Sequence, residues 1–309
     1  MTPKKKAKAI TKGSAKKTRP RKRAAGAGRS SSSTDYKASW KAASDSSRSD
    51  AARIKDFGKL TNAICDDRAV LNGMIGVLRD VKTSLDVRLA ALAALQAASF
   101  ATIRFRPCRP PYFAALRALA TDPEPEMRNR VLGLLMREQD SLAQKLLLDG
   151  LKKPDKALVP PEKALQLLSY DVKASAYPIA RRIVEQPPSS DAKAEALRLL
   201  AADAKSVGIF EQRLLDKKES PEIRQISAAA LQALAPEKLQ QYARDIVMDT
   251  TESPAVQATS LTALAQFGKE EDLSKDEVLS KRVERIQSSD AAQQIKQSAK
   301  QFATKYIEK

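Results

Sequence analysis

The chain has 309 residues, a net charge of +18, 42% hydrophobic but only 5% aromatic residues, two cysteines and no histidine. The missing imidazole excludes histidine-dependent metal sites, Ser-His and Cys-His nucleophile systems and imidazole acid–base catalysis. No apolar run reaches the roughly 18 residues that a membrane span needs and no secretory core is visible, so an intracellular, soluble protein with reduced Cys65 and Cys108 is expected.

The charge is unevenly placed. Residues 1–34 hold 12 Lys/Arg and no Asp or Glu, whereas residues 51–309 hold 40 basic and 34 acidic residues. Residues 1–50 alternate Lys/Arg with Ala, Gly, Ser and Pro, a composition that cannot bury enough surface to offset the entropy of ordering, and they are expected to form a disordered tail. Within it Lys4, Lys5, Lys6, Lys16, Lys17, Arg19, Arg21, Lys22 and Arg23 are the candidate contacts to DNA or RNA phosphates; a nuclear address or a merely solubilising segment are the competing readings. Ser30–Ser33 and Ser44–Ser49 suit phosphorylation, and the single Trp40 suits either base stacking or docking on the folded part.

Helical periodicity begins near Asp50. Ile54, Phe57, Leu60 and Ile64 form one stripe, and Val70, Met74, Val77, Leu78 and Val81 the next. The following segment, Ser84–Ala98, has an apolar residue, a leucine five positions on and another three further: Val87, Leu92, Leu95. The pattern returns as Met127/Leu132/Leu135, Ala192/Leu197/Leu200, Ile226/Leu231/Leu234 and Val256/Leu261/Leu264, with a degenerate copy at Pro160/Leu165/Leu168. The last leucines stand 40, 33, 32, 34 and 30 positions apart, the length of a helical hairpin, and a weaker unit ends at Phe302. Turn residues such as Asp122–Pro125, Ser189–Asp191, Ser220–Glu222 and Ser253–Pro254 precede most copies.

Between the first two copies, residues 99–113 break the period with Pro107, Pro110 and Pro111 and mix arginines with rings. Arg104, Phe105, Arg106, Arg109 and Tyr112 form a candidate binding loop for single-stranded nucleic acid or an acidic peptide. The structural alternative places the rings in the core and the arginines on helix carbonyls. Regular helices follow to the C-terminus, with no phosphate-binding glycine loop and no convincing strand.

Asp86-Val87-Arg88, Glu126-Met127-Arg128 and Glu222-Ile223-Arg224, each leading into an Ala/Leu-rich helix, resemble HEAT repeats over roughly residues 55–309. The resemblance implies an all-α fold, an α-solenoid of about six or seven helical hairpins over residues 51–309. It also implies that Arg88, Arg128, Lys193 and Arg224 pair with acidic turn residues, for which Asp86, Asp122, Asp191 and Glu222 are placed. HEAT-like DNA glycosylases and lyases exist, but the solenoid holds no tryptophan and no constellation typical of them. The expectation is therefore a non-catalytic scaffold, not an enzyme, with a protein partner and with nucleic acid on the tail. An alternative has the folded surface itself gripping DNA or RNA. No cofactor, metal, membrane or small-molecule substrate is expected. The compartment would be cytoplasmic or nucleoid-associated in a bacterium, and nuclear in a eukaryote.

Overall fold

In the computed structural model, which describes residues 31–170 and 175–308, the repeated leucine pattern becomes two rows of stacked helices. Among the described residues there are eighteen α-helices and no strand: α1 Ser31–Ser44, α2 Asp50–Gly58, α3 Arg68–Arg79, α4 Leu85–Ser99, α5 Thr102–Phe105, α6 Arg109–Leu119, α7 Pro125–Arg137, α8 Ser141–Lys152, α9 Pro161–Leu168, α10 Tyr177–Glu185, α11 Ser190–Leu200, α12 Val207–Leu215, α13 Pro221–Leu234, α14 Pro236–Met248, α15 Pro254–Phe267, α16 Glu270–Leu273, α17 Glu277–Ser288 and α18 Gln293–Tyr306. The architecture is an all-α solenoid. Row A consists of α2, α4, α7, α9, α11, α13, α15 and α18, and row B of α1, α3, α6, α8, α10, α12, α14 and α17. Neighbours within row A pack on each other along most of the chain, and each is crossed by helices of row B.

Most pattern residues are core, but Ile226 and Leu234 are only partly buried and Pro160 is exposed, and Ile223 is the buried apolar residue at the start of that fourth copy's helix. Val87, Leu95, Met127, Leu132, Leu135, Leu165, Leu168, Leu197, Leu200, Leu231, Val256, Leu261 and Phe302 are fully buried. Alanines between them let adjacent helices approach, since a methyl group is all that separates the backbones. One apolar cluster runs from Ala43 to Ala263 and a second from Ala243 to Tyr306; they meet across α14 and α15. In the first hairpin Phe57, Leu60, Ile64, Val70, Met74 and Leu78 are buried as expected, but Ile54 and Val81 are exposed.

Helix α1 corrects the expected boundary at residue 50. Ser39 and Ala43 are buried and Tyr36 and Trp40 pack partly buried against the first core cluster, a stripe at positions i, i+3, i+4 and i+7 that a composition rich in Ser and Lys conceals. Trp40 docks on α3 at Gly73, where an added Cβ would lie 2.1 Å from the indole Cζ2. The basic residues Lys4 to Arg23 lie outside the described residues.

The units are joined by buried arginines. Arg88 is 1% exposed; its Nε donates to the Leu78 carbonyl at 3.0 Å, and its two terminal nitrogens donate to the two oxygens of Asp122. Arg224 repeats this, with Nε on Leu214 O at 2.8 Å and the fork on Glu252 at 2.7 and 2.5 Å. Arg53 Nε takes the Ala43 carbonyl at 3.1 Å, again ten residues back, so α1 and α2 keep the repeat's register. Leu78, Leu214 and Ala43 each lie in the last turn of a row-B helix, where carbonyls have no intrahelical partner. The acids sit just before the next row-A helix, whose N-terminus favours negative charge. Arg88 and Arg224 thus each tie three elements, whereas Arg53 ties two, its terminal nitrogen lying 3.9 Å from Asp50 of its own helix.

The expected ladder therefore exists with partly different acids. Asp122 is one, but Asp86 and Asp191 are exposed and Glu222 pairs with Arg198; Lys193 bonds Glu219, and Arg128 takes the carbonyls of Asp122, Pro123 and Leu158. The usable acid lies two or three positions before the following unit's helix, since an arginine whose Nε already holds the preceding carbonyl points its fork there. A second set, not foreseen, joins row B. Arg117 bonds Asp140 at 2.8 Å, Arg181 bonds Asp203, Arg244 bonds Asp276 at 2.6 Å, and the Tyr36 hydroxyl bonds Asp67 at 3.3 Å. Each of these aspartates also accepts a backbone N–H as a cap of the next unit, so capping and stacking share one carboxylate.

Two outcomes follow in urea unfolding and fluorescence. Arg88→Ala leaves the Asp122 charge buried without its partner and should cost about 3–5 kcal/mol, whereas Arg104→Ala, in an exposed pair, should cost no more than about 1 kcal/mol. Gly73→Ala should expel Trp40, the only tryptophan, and shift its emission to longer wavelength.

Candidate functional site

The proline-rich corner at residues 99–113 is more regular than its sequence suggests. Pro110 and Pro111 occupy the first turn of α6, where a missing N–H costs nothing, so the helix already runs from Arg109, inside the stretch whose prolines break the period. Phe105 and Tyr112 are buried and meet edge to face at 5.5 Å. Burial, with a further push from Glu138, raises the Tyr112 phenol above its ordinary range. Arg104 bonds Asp66 at 2.6 Å, and Arg109 bonds Glu138 at 2.5 Å while lying 4.6 Å over the Phe113 ring. Of the five candidate loop residues, two are core and two are ion-paired; Arg106 is exposed and has no ion-pair partner among the described residues. Phe100, 79% exposed, and Ile103, 90% exposed, flank it as an apolar edge.

A more voluminous cleft than the hollow at this corner opens where α8 ends and α9 begins. Pro154 stops α8, a short 3-10 turn covers Pro154–Lys156, and Ala157–Pro160 crosses back over α8. That crossing needs Gly150, since a Cβ there would stand 3.0 Å from the Ala157 Cα. Arg128 fixes the same strap from the other side, donating from Nε to Leu158 O at 3.1 Å. Pro161 starts α9, and the end of α10 with Pro188 closes the far wall.

The cleft has a volume of about 550 Å³, within the range of ligand sites. Its walls are aliphatic: Leu151, Leu158, Val159, Ile183 and four prolines, with no aromatic ring and one charged side chain, Arg182. Lys152 at the end of α8, and Lys153 and Lys156 at the turn that follows it, stand exposed ahead of the strap. None of these four cations makes an ion pair among the described residues, although most arginines of the folded part do. Asp155 is the one acid within the turn. A shallower hollow on row A is polar and mixed in charge, lined by Glu162, Lys163, Asp191, Glu195, Arg198 and Glu222, with Arg198 holding both Glu195 and Glu222.

The cleft was not foreseen from the residues. Its one signal is Lys152–Pro161, KKPDKALVPP, where three prolines and a short aliphatic run interrupt helical spacing at the degenerate copy of the repeat. Among the described residues no group of three or more His, Cys, Asp or Glu could hold a metal ion, and no helix is long and apolar enough to cross a membrane.

No family model and no curated protein sequence matches the chain. Among solved structures, human deoxyhypusine hydroxylase in complex with glycerol is similar over 81% of this chain and 99% of its own, with a TM-score of 0.34 and 15% sequence identity. The expectation of a non-catalytic scaffold, and of a chain that is not an enzyme, is corrected by this finding, because the protein found is an enzyme. A leucine pattern and a set of stacked hairpins do not by themselves place a chain outside catalysis. A likeness this distant transfers no activity, substrate or site residue.

Proposed function

We propose that this chain is a HEAT-like solenoid that recognises a polypeptide, seated by one or two large apolar side chains in the cleft between α8, α9 and α10. The observation that carries the reading is the cleft itself, about 550 Å³ of aliphatic wall beside four cations that make no ion pair among the described residues. Burying one leucine- or phenylalanine-sized side chain there gives about 1.5–3 kcal/mol. The absence of rings from its lining removes the stacking platform that a nucleobase would use. A protein substrate and a protein partner would be held alike, so the reading concerns what is bound. The HEAT-like assignment is supported by the recurrent arginine whose Nε reaches a carbonyl ten residues back. The Lys/Arg-rich N-terminal segment contacts DNA or RNA in the same reading, on the strength of its charge alone.

Selection of a displayed random-peptide library on the full chain should enrich sequences that lose at least about tenfold affinity for Ala157→Trp, which fills the cleft from its exposed strap. Equal binding to that variant would remove the cleft from the account. Replacing Lys16, Lys17, Arg19, Arg21, Lys22 and Arg23 by alanine should abolish a duplex-DNA affinity that falls with a log–log salt slope near −5 (about −0.9 per phosphate contact). An unchanged slope would dismiss the N-terminal segment as the nucleic-acid contact.

A further inference from the structure

The chain's only two cysteines are distant in sequence and adjacent in space. Cys65 closes the 3-10 turn Ala63–Cys65 after α2, and Cys108 is the residue before α6. The Cys108 Sγ lies 3.6 Å from the carbonyl oxygen of Ile64, the neighbour of Cys65, which brings the two cysteines to the same corner of the stack. Helices α3, α4 and α5 lie between them in the chain, so the pairing is a product of the stack. The Arg104–Asp66 ion pair at 2.6 Å fastens the same two segments next to the sulfurs.

The two thiols differ in access. Cys65 is half-buried and Cys108 is 6% exposed. A solution reagent therefore meets Cys65 first, while Cys108 is held where a second step would need it.

We propose that Cys65 and Cys108 form a dithiol site, oxidised to an intramolecular disulfide by exchange with a low-molecular-weight disulfide. The Cys65 thiolate attacks one sulfur of the small disulfide, forming a mixed disulfide and releasing one small thiolate. The Cys108 thiolate then attacks the Cys65 sulfur, the bond between the protein's sulfurs forms and the second small thiol leaves. Two protein thiols give up two electrons and two protons, and one small disulfide becomes two thiols. The product ties the turn after α2 to the start of α6 and encloses α3, α4 and α5 in a covalent loop. Burial pushes both thiols up from their ordinary range, the larger effect at each, so neither is a good leaving group and the disulfide, once made, resists reduction.

The test equilibrates the full-length folded chain against buffers of oxidised and reduced glutathione, quenches by alkylation and reads intact mass and non-reduced peptide maps. The Cys65–Cys108 disulfide should be the main oxidised species, with an equilibrium constant at least about tenfold above that of the urea-unfolded chain in the same buffers. Cys108→Ser should stop at one glutathione on Cys65, and Cys65→Ser should react far more slowly at Cys108. A folded-state constant equal to or below the unfolded one would overturn the proposal. So would a wild-type chain that accumulates glutathione on Cys65 without closing.

Discussion

The structure depends on an arginine that no solvent reaches. Burying a guanidinium is expensive, and Arg88 avoids the penalty only because Nε meets the Leu78 carbonyl and the two terminal nitrogens meet both oxygens of Asp122. The three partners belong to the end of one helix and the start of another, on either side of the arginine's own helix. Apolar contacts between stacked alanines and leucines slide at little cost, whereas this fork accepts one register. The gain is a defined stacking geometry more than net stability, since a well-packed hydrophobic replacement would stabilise about as well. Arg224 with Leu214 and Glu252 repeats the arrangement 136 positions on, so it belongs to the repeat and not to one corner.

The same device reaches the cleft. Arg128 finds no acid and instead holds the Leu158 carbonyl, pinning the strap whose side chains form the cleft wall. Gly150 lets the strap lie against α8, and the prolines on either side keep it from joining α8 or α9. The site arises where the repeat is most degenerate, at Pro160/Leu165/Leu168, because a shortened row-A helix leaves space that a full-length one would fill.

What was legible in the sequence was periodic. The leucine spacing gave the row-A helices and their order, and the arginine after each turn pointed to a ladder. The identity of the acids was not legible: Glu219 and Glu252 are ordinary turn residues until Lys193 and Arg224 are seen to reach across a unit. Helix α1 was hidden because its apolar stripe is thin and its docking site is Gly73, a missing side chain 33 positions away. The Cys65–Cys108 contact and the row-B caps at Asp140, Asp203 and Asp276 are also tertiary facts, with no local spacing to announce them. The rings at 105 and 112 went inward because α6 starts early enough to carry Tyr112 onto Phe105.

The central claim is that the buried arginines couple neighbouring units, and native-state amide hydrogen exchange of Arg224→Ala tests it most directly. The account predicts that protection falls together at the end of α12, in α13 and at the turn before α15, while α4, α7 and α9 keep theirs. Loss confined to α13 would mean that Arg224 serves only its own helix, and uniform loss along the chain would mean that the solenoid opens as a whole; either result would contradict the account.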